Sequence, residues 1–475
     1  MRIISFKISD MEIHSLRTHN LKIHILGICG TFMGGLAALA RSLGYQVSGS
    51  DKNVYPPMST QLENLGIDMH QGYGDSVLNE QFAEVVVGNV MTRGMPVVEK
   101  LLASHQHYSS GPQWLGEHLL RNKKVFAVAG THGKTTTSSM LAWILEDNNE
   151  NPGFLIGGVA EDFGISARNT QSESFVIEAD EYDSAFFDKR SKFVHYHANV
   201  AILNNLEYDH ADIFPNLGAI KIQFHHFVRT IPENGTIILN NEDNNLKDVL
   251  DMGCWTPVIS FGCDEAADIY AKASKADCSQ FDVYYQENKQ TSVTWNLTGK
   301  HNMLNGIAAM AAAMQQNISL GDSAKALGKF QGIKRRMEFI GEAQEIKIYD
   351  DFAHHPTAIA TTIEGIKNKI GEQQLIVIFE PRSNSMRAGA HAQALPDSLS
   401  GADIAIVMNY PELIWEKGMF EKLHKQGIKT ITSVDLLLEE LATICVKDSY
   451  VVFMSNGSFE NAPRRFYKGL SFKNS

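Results

Sequence analysis

Residues 123–147 read KKVFAVAGTHGKTTTSSMLAWILED, an apolar run followed by glycines, a lysine and a helical pattern. The run predicts a buried strand, and residues 135–147 predict a helix. Glycines at such a turn let several backbone N–H groups point at an anion, and the lysine adds a full charge. The residues predicted to hold nucleotide phosphates are Gly130, Thr131, Gly133, Lys134, Thr135 and Thr136.

The match of this turn to the general GxxxxGK[ST] pattern is imperfect, because Val128 stands at the first glycine position. The alternative interpretation is a structural strand-to-helix turn with a chance lysine. The preceding strand, the following helix and the threonine run favour the phosphate site, in which the Thr135 hydroxyl would ligate Mg²⁺.

The rest of the chain also alternates apolar runs with helical stretches, which is typical of α/β folds with parallel sheets. A length of 475 residues exceeds what one core normally serves, so we expect three domains. Their predicted ranges are residues 1–121, 122–337 and 338–475. Residues before Leu21 show no clear periodicity, and we assign them no function.

Composition excludes several classes of protein. The formal net charge of -12 argues against nucleic-acid binding, which relies on a basic surface. The five cysteines are scattered without zinc spacing, as expected for reduced thiols. Neither a long apolar run nor a signal peptide is evident, so we expect a cytoplasmic protein without membrane insertion, monomeric or weakly dimeric.

Carboxylates and a histidine follow two further apolar strands of the middle block. Glu178 to Asp183 read EADEYD after one strand, and residues 204–210 read NNLEYDH after another. Both segments would lie at the carboxyl edge of the sheet, beside the phosphate turn. Oxygen ligands with one imidazole favour Mg²⁺ or Mn²⁺ over zinc. The alternative is a set of solvated acids at strand ends.

A second glycine turn follows the first strand of the chain, where residues 27–35 read GICGTFMGG and open a helix. This turn suits diphosphate binding by backbone N–H groups, and Asp51 at the end of the next strand could meet a ribose hydroxyl. A nicotinamide site and a purely structural turn are the alternatives. The spacing is not GxGxxG, and a simple dehydrogenase would lack the second phosphate turn.

Six segments resemble landmarks of the Mur ligase family, which builds the peptide of bacterial peptidoglycan. In that family's order they are GTHGKTTT (130–137), EADEYD (178–183), LNNLEYDH (203–210), GKHNMLN (299–305), RRME (335–338) and YDDFAHHP (349–356). The resemblance implies a Rossmann-like UDP-binding domain, a central P-loop ATPase domain and a Rossmann-like C-terminal domain that binds a peptide acceptor.

The resemblance also implies roles for individual residues. Lys134 and Thr135 would contact ATP phosphates and Mg²⁺, and Glu178 with His210 would hold a second Mg²⁺. Arg336 would reach the γ-phosphate across a domain junction, so that the implied catalytic residues are Lys134, Glu178, His210 and Arg336. Further implied ATP contacts are His301, Asn302, Asn305, Asp351 and His354. The implied UDP-sugar contacts are Gly27, Gly30, Thr31, Met33, Gly34, Ser50 and Asp51.

Within the family, the segments ILGICGTFMGG, SSGPQWL, KFVHYHANV, LNNLEYDHADIF and FEPRSNSM are most similar to a branch that recycles peptidoglycan. That branch joins the tripeptide L-Ala-γ-D-Glu-meso-diaminopimelate to UDP-N-acetylmuramate through an acyl phosphate. The C-terminal SNGSFENAPRR departs from its usual glycine-rich end. The predicted contacts to the tripeptide are Arg382, Asn384 and His355.

Three alternatives to this function differ in what they require. A UDP-N-acetylmuramate–L-alanine ligase of de novo synthesis shares the architecture but takes another acceptor. A folylpolyglutamate-synthetase-like ligase would lack the first glycine-loop domain. A regulatory protein with a dead ATP site would not need intact Lys134, Glu178, His210 and Arg336.

Overall fold

The computed structural model describes residues 21–54 and 58–472, so the residues before Leu21 lie outside it. Strands and helices alternate along this part of the chain and form three mainly parallel sheets flanked by helices. The predicted α/β class is therefore confirmed. All five cysteines are free, as expected. None of the helices in the described ranges is long and apolar enough to cross a membrane.

The first sheet has five parallel strands in the order β3-β2-β1-β4-β5. Its strands are β1 (Lys22–Leu26), β2 (Gln46–Asp51), β3 (Asp68–Gln71), β4 (Glu84–Val87) and β5 (Tyr108–Ser110). Its helices are α1 (Thr31–Ser42), α2 (Met58–Asn64), α3 (Pro96–Ala103) and α4 (Gly111–His118). The strand order reverses between β1 and β4, and open sheets bind ligands at the carboxyl ends of such strands. The glycine turn after β1 lies there.

The central sheet has ten strands in the order β17-β16-β15-β14-β13-β12-β6-β9-β7-β8. They are β6 (Lys124–Ala129), β7 (Gly153–Leu155), β8 (Ala167–Arg168), β9 (Ser174–Ala179), β12 (Val200–Leu203), β13 (Thr236–Asn240), β14 (Val258–Gly262), β15 (Ile269–Ala273), β16 (Gln280–Tyr285) and β17 (Asn288–Thr294). The helices of this region are α5 (Lys134–Asp147), α6 (Leu217–Val228), α7 (Asn244–Asp251), α8 (Lys300–Ala313) and α9 (Leu320–Leu327). Because β6 lies between β9 and β12 and runs parallel to both, the segments that follow all three strands meet at one edge.

The third sheet has six strands in the order β18-β19-β23-β20-β21-β22, of which only β18 is antiparallel to its neighbour. They are β18 (Glu338–Ala343), β19 (Ile346–Asp351), β20 (Leu375–Phe379), β21 (Ile404–Met408), β22 (Lys429–Ile431) and β23 (Tyr450–Met454). Its helices are α10 (Pro356–Ile370), α11 (Asn384–Arg387), α12 (Leu395–Ser398), α13 (Met419–Lys425), α14 (Val434–Ile444) and α15 (Ala462–Phe472). Each sheet lies inside one of the three ranges that we propose as domains.

A two-stranded hairpin joins the first and central sheets. Its strands, β10 (Asp183–Ala185) and β11 (Asp188–Ser191), follow β9 directly. Ala185 is fully buried in an apolar cluster with residues of β1 and β4, and the Phe187 ring lies 5.1 Å from that of Tyr108. The hairpin therefore fixes the end of β9 against the first sheet.

His24 in β1 makes stability depend on pH. Its ring is fully buried between the Ser48 and Ser50 hydroxyls, at 2.9 and 2.8 Å. Burial, and then the charge of His70, lowers the pKa of His24 from 6.5 to about 4. The unfolded chain therefore binds this proton below pH 6.5 while the folded chain does not, so stability falls as pH drops from about 6.5 towards 4.

We expect His24 to account for about 2 kcal/mol of the unfolding free energy lost between pH 7 and pH 5. Denaturant melts of the wild type and of His24→Gln at both pH values measure this contribution. The variant should lose less stability on acidification than the wild type. Parallel losses in the two proteins would contradict the prediction.

Candidate active site

The turn between β6 and α5 forms a cradle in front of the first N–H groups of α5, while its Thr131 and His132 N–H groups donate to Asn205. Gly130 and Gly133 have φ angles of +151° and +76°, which residues with a Cβ atom rarely adopt. A Cβ on Gly133 would also lie 2.5 Å from Asn305 Oδ1. The first N–H groups of α5, which begins at Lys134, have no partner inside the helix and carry its positive dipole end. This geometry suits a phosphate.

Lys134 lies across the mouth of this turn. Its ammonium donates to the Gly130 carbonyl at 2.7 Å and to Glu181 Oε2 at 3.0 Å. Although burial opposes its charge, the carboxylates of Glu181, Asp180 and Glu178 raise the pKa of Lys134 above its usual value. The lysine is therefore charged at the place where terminal phosphates would lie.

Two of the three predicted metal ligands touch each other. The Thr135 hydroxyl lies 3.0 and 3.2 Å from the two carboxylate oxygens of Glu178, which also accepts the Gly157 N–H at 2.7 Å. Thr135 is the second residue of α5 and Glu178 lies near the end of β9, so the parallel pairing of β6 and β9 brings them together. A hydroxyl beside a carboxylate fits Mg²⁺.

His210 is placed differently from the prediction. Its Nε2 lies 2.9 Å from Glu181 Oε1, and its ring packs 4.3 Å from that of Tyr182. Burial lowers the pKa of His210, but the hydrogen bond to Glu181 together with the charges of Glu181 and Asp209 raises it overall. Asp180, Glu181 and His210 offer three ligand atoms within 4.8 Å of one another. This group adds Glu181, which the site prediction omitted, as a candidate metal ligand, and the predicted pair of Glu178 and His210 stays a prediction.

The residues expected around ATP lie on α8 and the first turn of α5. Asn305 Oδ1 accepts from the Thr137 hydroxyl at 3.1 Å and from the Asn204 amide at 3.0 Å, which fixes it behind the phosphate turn. The Nδ1 atom of His301 is buried without a hydrogen-bond partner among the described residues, and burial lowers its pKa to about 4. Asn302 instead donates to the Thr298 carbonyl at 2.8 Å.

Two other residues of the phosphate turn also have clear positions. The Thr131 hydroxyl accepts the Glu207 N–H at 2.9 Å, which ties the turn to the segment after β12. Thr136 is buried on the first turn of α5. Both residues therefore support the shape of the cradle.

Two adjacent arginines at the junction before β18, Arg335 and Arg336, have different surroundings. Arg335 and Met337 have φ of +59° and +50°, a left-handed conformation that is uncommon for such residues. Arg335 donates to the Ser455 and Gly457 carbonyls at 2.7 and 2.6 Å. The Arg336 guanidinium makes no hydrogen bond or ion pair with the described residues, and its Cζ lies 4.9 Å from the Phe352 ring.

The third domain reaches this junction through the segment after β19. Asp351 accepts N–H groups from Met337 and Ala353 at 2.7 and 2.8 Å, so its carboxylate holds the backbone next to Arg336. Burial lowers the pKa of Arg336, while the nearby charges of Asp351 and Glu178 oppose that shift. His354 is neutral at pH 7, because burial lowers its pKa to about 4. Arg336 thus keeps a guanidinium without a hydrogen-bond partner among the described residues, close enough to Asp351 and Glu178 to interact with their charges.

The three residues predicted to bind the peptide have separate partners. His355 is buried, caps α10 through the Thr357 N–H at 3.3 Å, and packs 4.4 Å from the His132 ring. Asn384 donates to Asp212 Oδ2 at 3.0 Å. Arg382 is partly exposed and pairs with Glu412 at 3.2 Å. Of the three, Arg382 presents the most accessible charge, whereas burial makes His355 a residue of the domain interface.

A cavity of ≈ 330 Å³ lies between the first and central domains. Its lining combines the first glycine turn with the ends of β7 and β9, and includes Gly27, Gly30, Thr31, Met33, Gly157, Glu178, Asp180 and Lys192. Four predicted UDP-sugar contacts therefore share one cavity with the predicted metal ligand Glu178.

Three other predicted UDP-sugar contacts are not part of the cavity lining among the described residues. Both oxygens of Asp51 accept backbone N–H groups, from Cys29 at 2.9 Å and Asn53 at 3.0 Å. The Ser50 hydroxyl is hydrogen-bonded to the His24 ring. A Cβ on Gly34 would clash with the Met58 side chain. Asp51 thus helps to shape the glycine turn, and its predicted contact with a ribose stays a prediction.

Three family models match the chain in succession. The Mur ligase family catalytic domain matches residues 22–123, the Mur ligase middle domain 128–313, and the Mur ligase glutamate ligase domain 335–457. The chain belongs to the Mur ligase family.

The chain is also similar to individual proteins over nearly its whole length. It is 48% identical over 454 residues to the UDP-N-acetylmuramate–L-alanyl-γ-D-glutamyl-meso-2,6-diaminoheptandioate ligase of Escherichia coli strain K12, covering 95% of this chain and 99% of that one. A crystal structure of a murein peptide ligase from Psychrobacter arcticus is 45% identical with a TM-score of 0.71, covering 95% and 99%. The UDP-N-acetylmuramate–L-alanine ligase of Ruthia magnifica is 33% identical over 399 residues, covering 82% of each.

Proposed function

We propose that this protein is an ATP- and Mg²⁺-dependent ligase that joins the tripeptide L-Ala-γ-D-Glu-meso-diaminopimelate to UDP-N-acetylmuramate in peptidoglycan recycling. The observation that carries this proposal is the cavity that runs from the glycine turn after β1 to Glu178. Glu178 in turn contacts Thr135 of the ATP phosphate turn. A sugar nucleotide held by its diphosphate at one end would thus present its carboxylate to ATP at the other.

The first chemical step forms an acyl phosphate. The lactyl carboxylate attacks the γ-phosphorus of ATP, and the bond to the β-phosphate oxygen breaks to release ADP. Charge grows on the transferring group during this step. The charges of Lys134 and Arg336 both interact with that of Glu178, and these two cations would offset the growing charge. When bound by Thr135 and Glu178, Mg²⁺ would supply further charge neutralisation.

The second step forms the amide. The amino group of the tripeptide attacks the acyl carbon, phosphate leaves, and the nitrogen loses a proton. No protein nucleophile is needed, so the residues of the site act by binding and orienting the reactants. Our candidate to accept that proton is His354, because its imidazole is neutral and lies close enough to Arg336 to interact with its charge.

The acceptor separates this proposal from its closest alternative, a UDP-N-acetylmuramate–L-alanine ligase. The relative named for the tripeptide is 48% identical, against 33% for the relative named for L-alanine, which supports the tripeptide. The test incubates the protein with ATP, Mg²⁺ and UDP-N-acetylmuramate and compares the two acceptors by mass spectrometry. We expect product with the tripeptide. Product with L-alanine alone would favour the alternative, and no product with either would overturn the proposal.

Arg382 is our proposed contact for the carboxylates of the tripeptide. It follows β20 at the carboxyl edge of the third sheet, and its partly exposed guanidinium can form a bidentate pair with a carboxylate. We expect Arg382→Ala to raise the KM for tripeptide about 10-fold and to leave the KM for ATP unchanged. Initial rates at varied tripeptide measure this effect, and an unchanged tripeptide KM would contradict the assignment.

The remaining expectations concern the protein's setting. A cytoplasmic location, the absence of nucleic-acid partners and a monomeric or weakly dimeric state are consistent with this function, which uses soluble substrates, and they remain part of the proposal.

A further inference from the structure

Lys192 lies in the wall of the cavity between the first and central domains. It is the first residue of the segment KFVHYHANV, for which the sequence predicted no role. Its side chain is buried, and its ammonium lies 2.7 Å from Asp180 Oδ2. We propose that Lys192 binds the free carboxylate of the sugar nucleotide and holds it beside Glu178 for phosphorylation. This inference rests on the proposed function and deepens it, because it names the residue that recognises the reacting group.

The charges of the cavity require such a cation. Glu178 and Asp180 bring two carboxylates to the wall, and Lys192 is the one lysine or arginine among the described residues of the lining. The ammonium of Lys134 is turned towards Gly130 and Glu181. The charge of Lys192 would therefore reduce the repulsion between these carboxylates and an entering one.

The ammonium of Lys192 has more N–H donors than its hydrogen bond to Asp180 uses. A lysine carries three N–H donors, and its one hydrogen bond to a described side chain is that to Asp180. The ring faces of Phe32 and Tyr182 each lie 5.6 Å from Nζ. These rings stabilise the buried charge but accept hydrogen bonds weakly, so a substrate carboxylate is the stronger partner.

The backbone fixes Lys192 at this position. Its N–H donates to the Tyr182 carbonyl at 2.9 Å, and the Ser191 hydroxyl donates to the Glu181 carbonyl at 2.5 Å. Both bonds fasten the end of the β10–β11 hairpin to the segment after β9, which carries Asp180. The same hairpin packs on the first sheet through Ala185. Lys192 is therefore held between the glycine turn after β1 and the predicted metal ligand Glu178.

The test compares two ligands that differ in the carboxylate. UDP-N-acetylglucosamine has the diphosphate and the sugar but lacks the lactyl group of UDP-N-acetylmuramate. Calorimetry on the full chain without ATP measures both affinities for the wild type and for Lys192→Met, which removes the charge at similar size. We expect the variant to lose about 10- to 100-fold in affinity for UDP-N-acetylmuramate and to bind UDP-N-acetylglucosamine as the wild type does.

Two further variants guard against indirect effects. Lys192→Arg keeps a cation and should retain part of the preference for UDP-N-acetylmuramate. Lys189→Met is the matched control, because Lys189 lies on the same hairpin but is exposed and pairs with Asp183 at 2.5 Å. It should bind both ligands normally.

The outcomes separate this inference from the proposed function. Equal losses for both ligands in Lys192→Met, or no loss for either, would overturn the role of Lys192, while tripeptide ligation by the wild type would leave the function intact. A wild type that does not prefer UDP-N-acetylmuramate would also overturn the role of Lys192, and a wild type that forms no tripeptide product would overturn the proposed function.

Discussion

Replacing Lys134 by methionine should lower kcat/KM by about 10³-fold or more, since single groups that offset transition-state charge contribute on this scale. Methionine keeps the length of the side chain but removes the ammonium that lies 3.0 Å from Glu181. The carboxylates around the site would then face the phosphates of ATP without their nearest cation. We expect the loss to appear mainly in kcat, because the charge matters most as the phosphoryl group transfers.

Steady-state phosphate release with all three substrates measures this loss. Lys329→Met is a suitable control, because Lys329 is exposed and pairs with Asp147 at the other end of α5 at 2.8 Å. Circular dichroism and a thermal melt establish that both variants are folded. A folded Lys134→Met protein with the parental rate would show that the turn after β6 does not serve ATP.

Replacing Arg336 by lysine should lower kcat by about 10²- to 10³-fold. Its guanidinium makes no hydrogen bond or ion pair with the described residues and sits near Asp351 and Glu178. A lysine keeps the charge but loses the planar fork that binds two phosphate oxygens at once. Because Arg336 makes no hydrogen bond or ion pair with the described residues, we expect the variant to have the same melting temperature as the wild type.

Arg335 is the matched control for this substitution. It donates to the Ser455 and Gly457 carbonyls and lies 3.4 Å from Asp350. Arg335→Lys should therefore lower the free energy of unfolding by about 1–3 kcal/mol, because it leaves hydrogen-bonding groups unpaired. Its effect on kcat should be smaller than that of Arg336→Lys. Urea melts and single-turnover rates on both variants test the assignment. The reverse pattern, in which Arg335 governs kcat and Arg336 stability, would contradict it.

The sequence predicted the buried parallel strands well, because their apolar runs are continuous. IKIYDD and LIVIFE, for example, correspond to β19 and β20 within one residue. It did not predict β3, whose residues are mostly polar and exposed. The hairpin of β10 and β11 was also missed, since neither strand has more than four residues and their pairing depends on the first sheet.

The candidate site could be predicted where its residues belong to one local motif or end neighbouring parallel strands. The turn around Lys134 and the Thr135–Glu178 contact follow from a local motif and from strand order. The partner of His210 could not be predicted, because either glutamate of EADE was available to it until side-chain packing placed Glu181 nearer. Lys192 begins the segment KFVHYHANV, but the sequence predicted no role for its side chain, since a lysine within DKRSK is typical of a solvated surface.

Transfer of isotopic oxygen tests most directly whether ATP activates the sugar-borne acid at the junction of Glu178 and Lys134. UDP-N-acetylmuramate carrying ¹⁸O in both carboxylate oxygens is incubated with ATP, Mg²⁺ and tripeptide, and the released phosphate is analysed by mass spectrometry. Activation as an acyl phosphate predicts one ¹⁸O atom in each phosphate and one in each amide. Amide formation with unlabelled phosphate would contradict it.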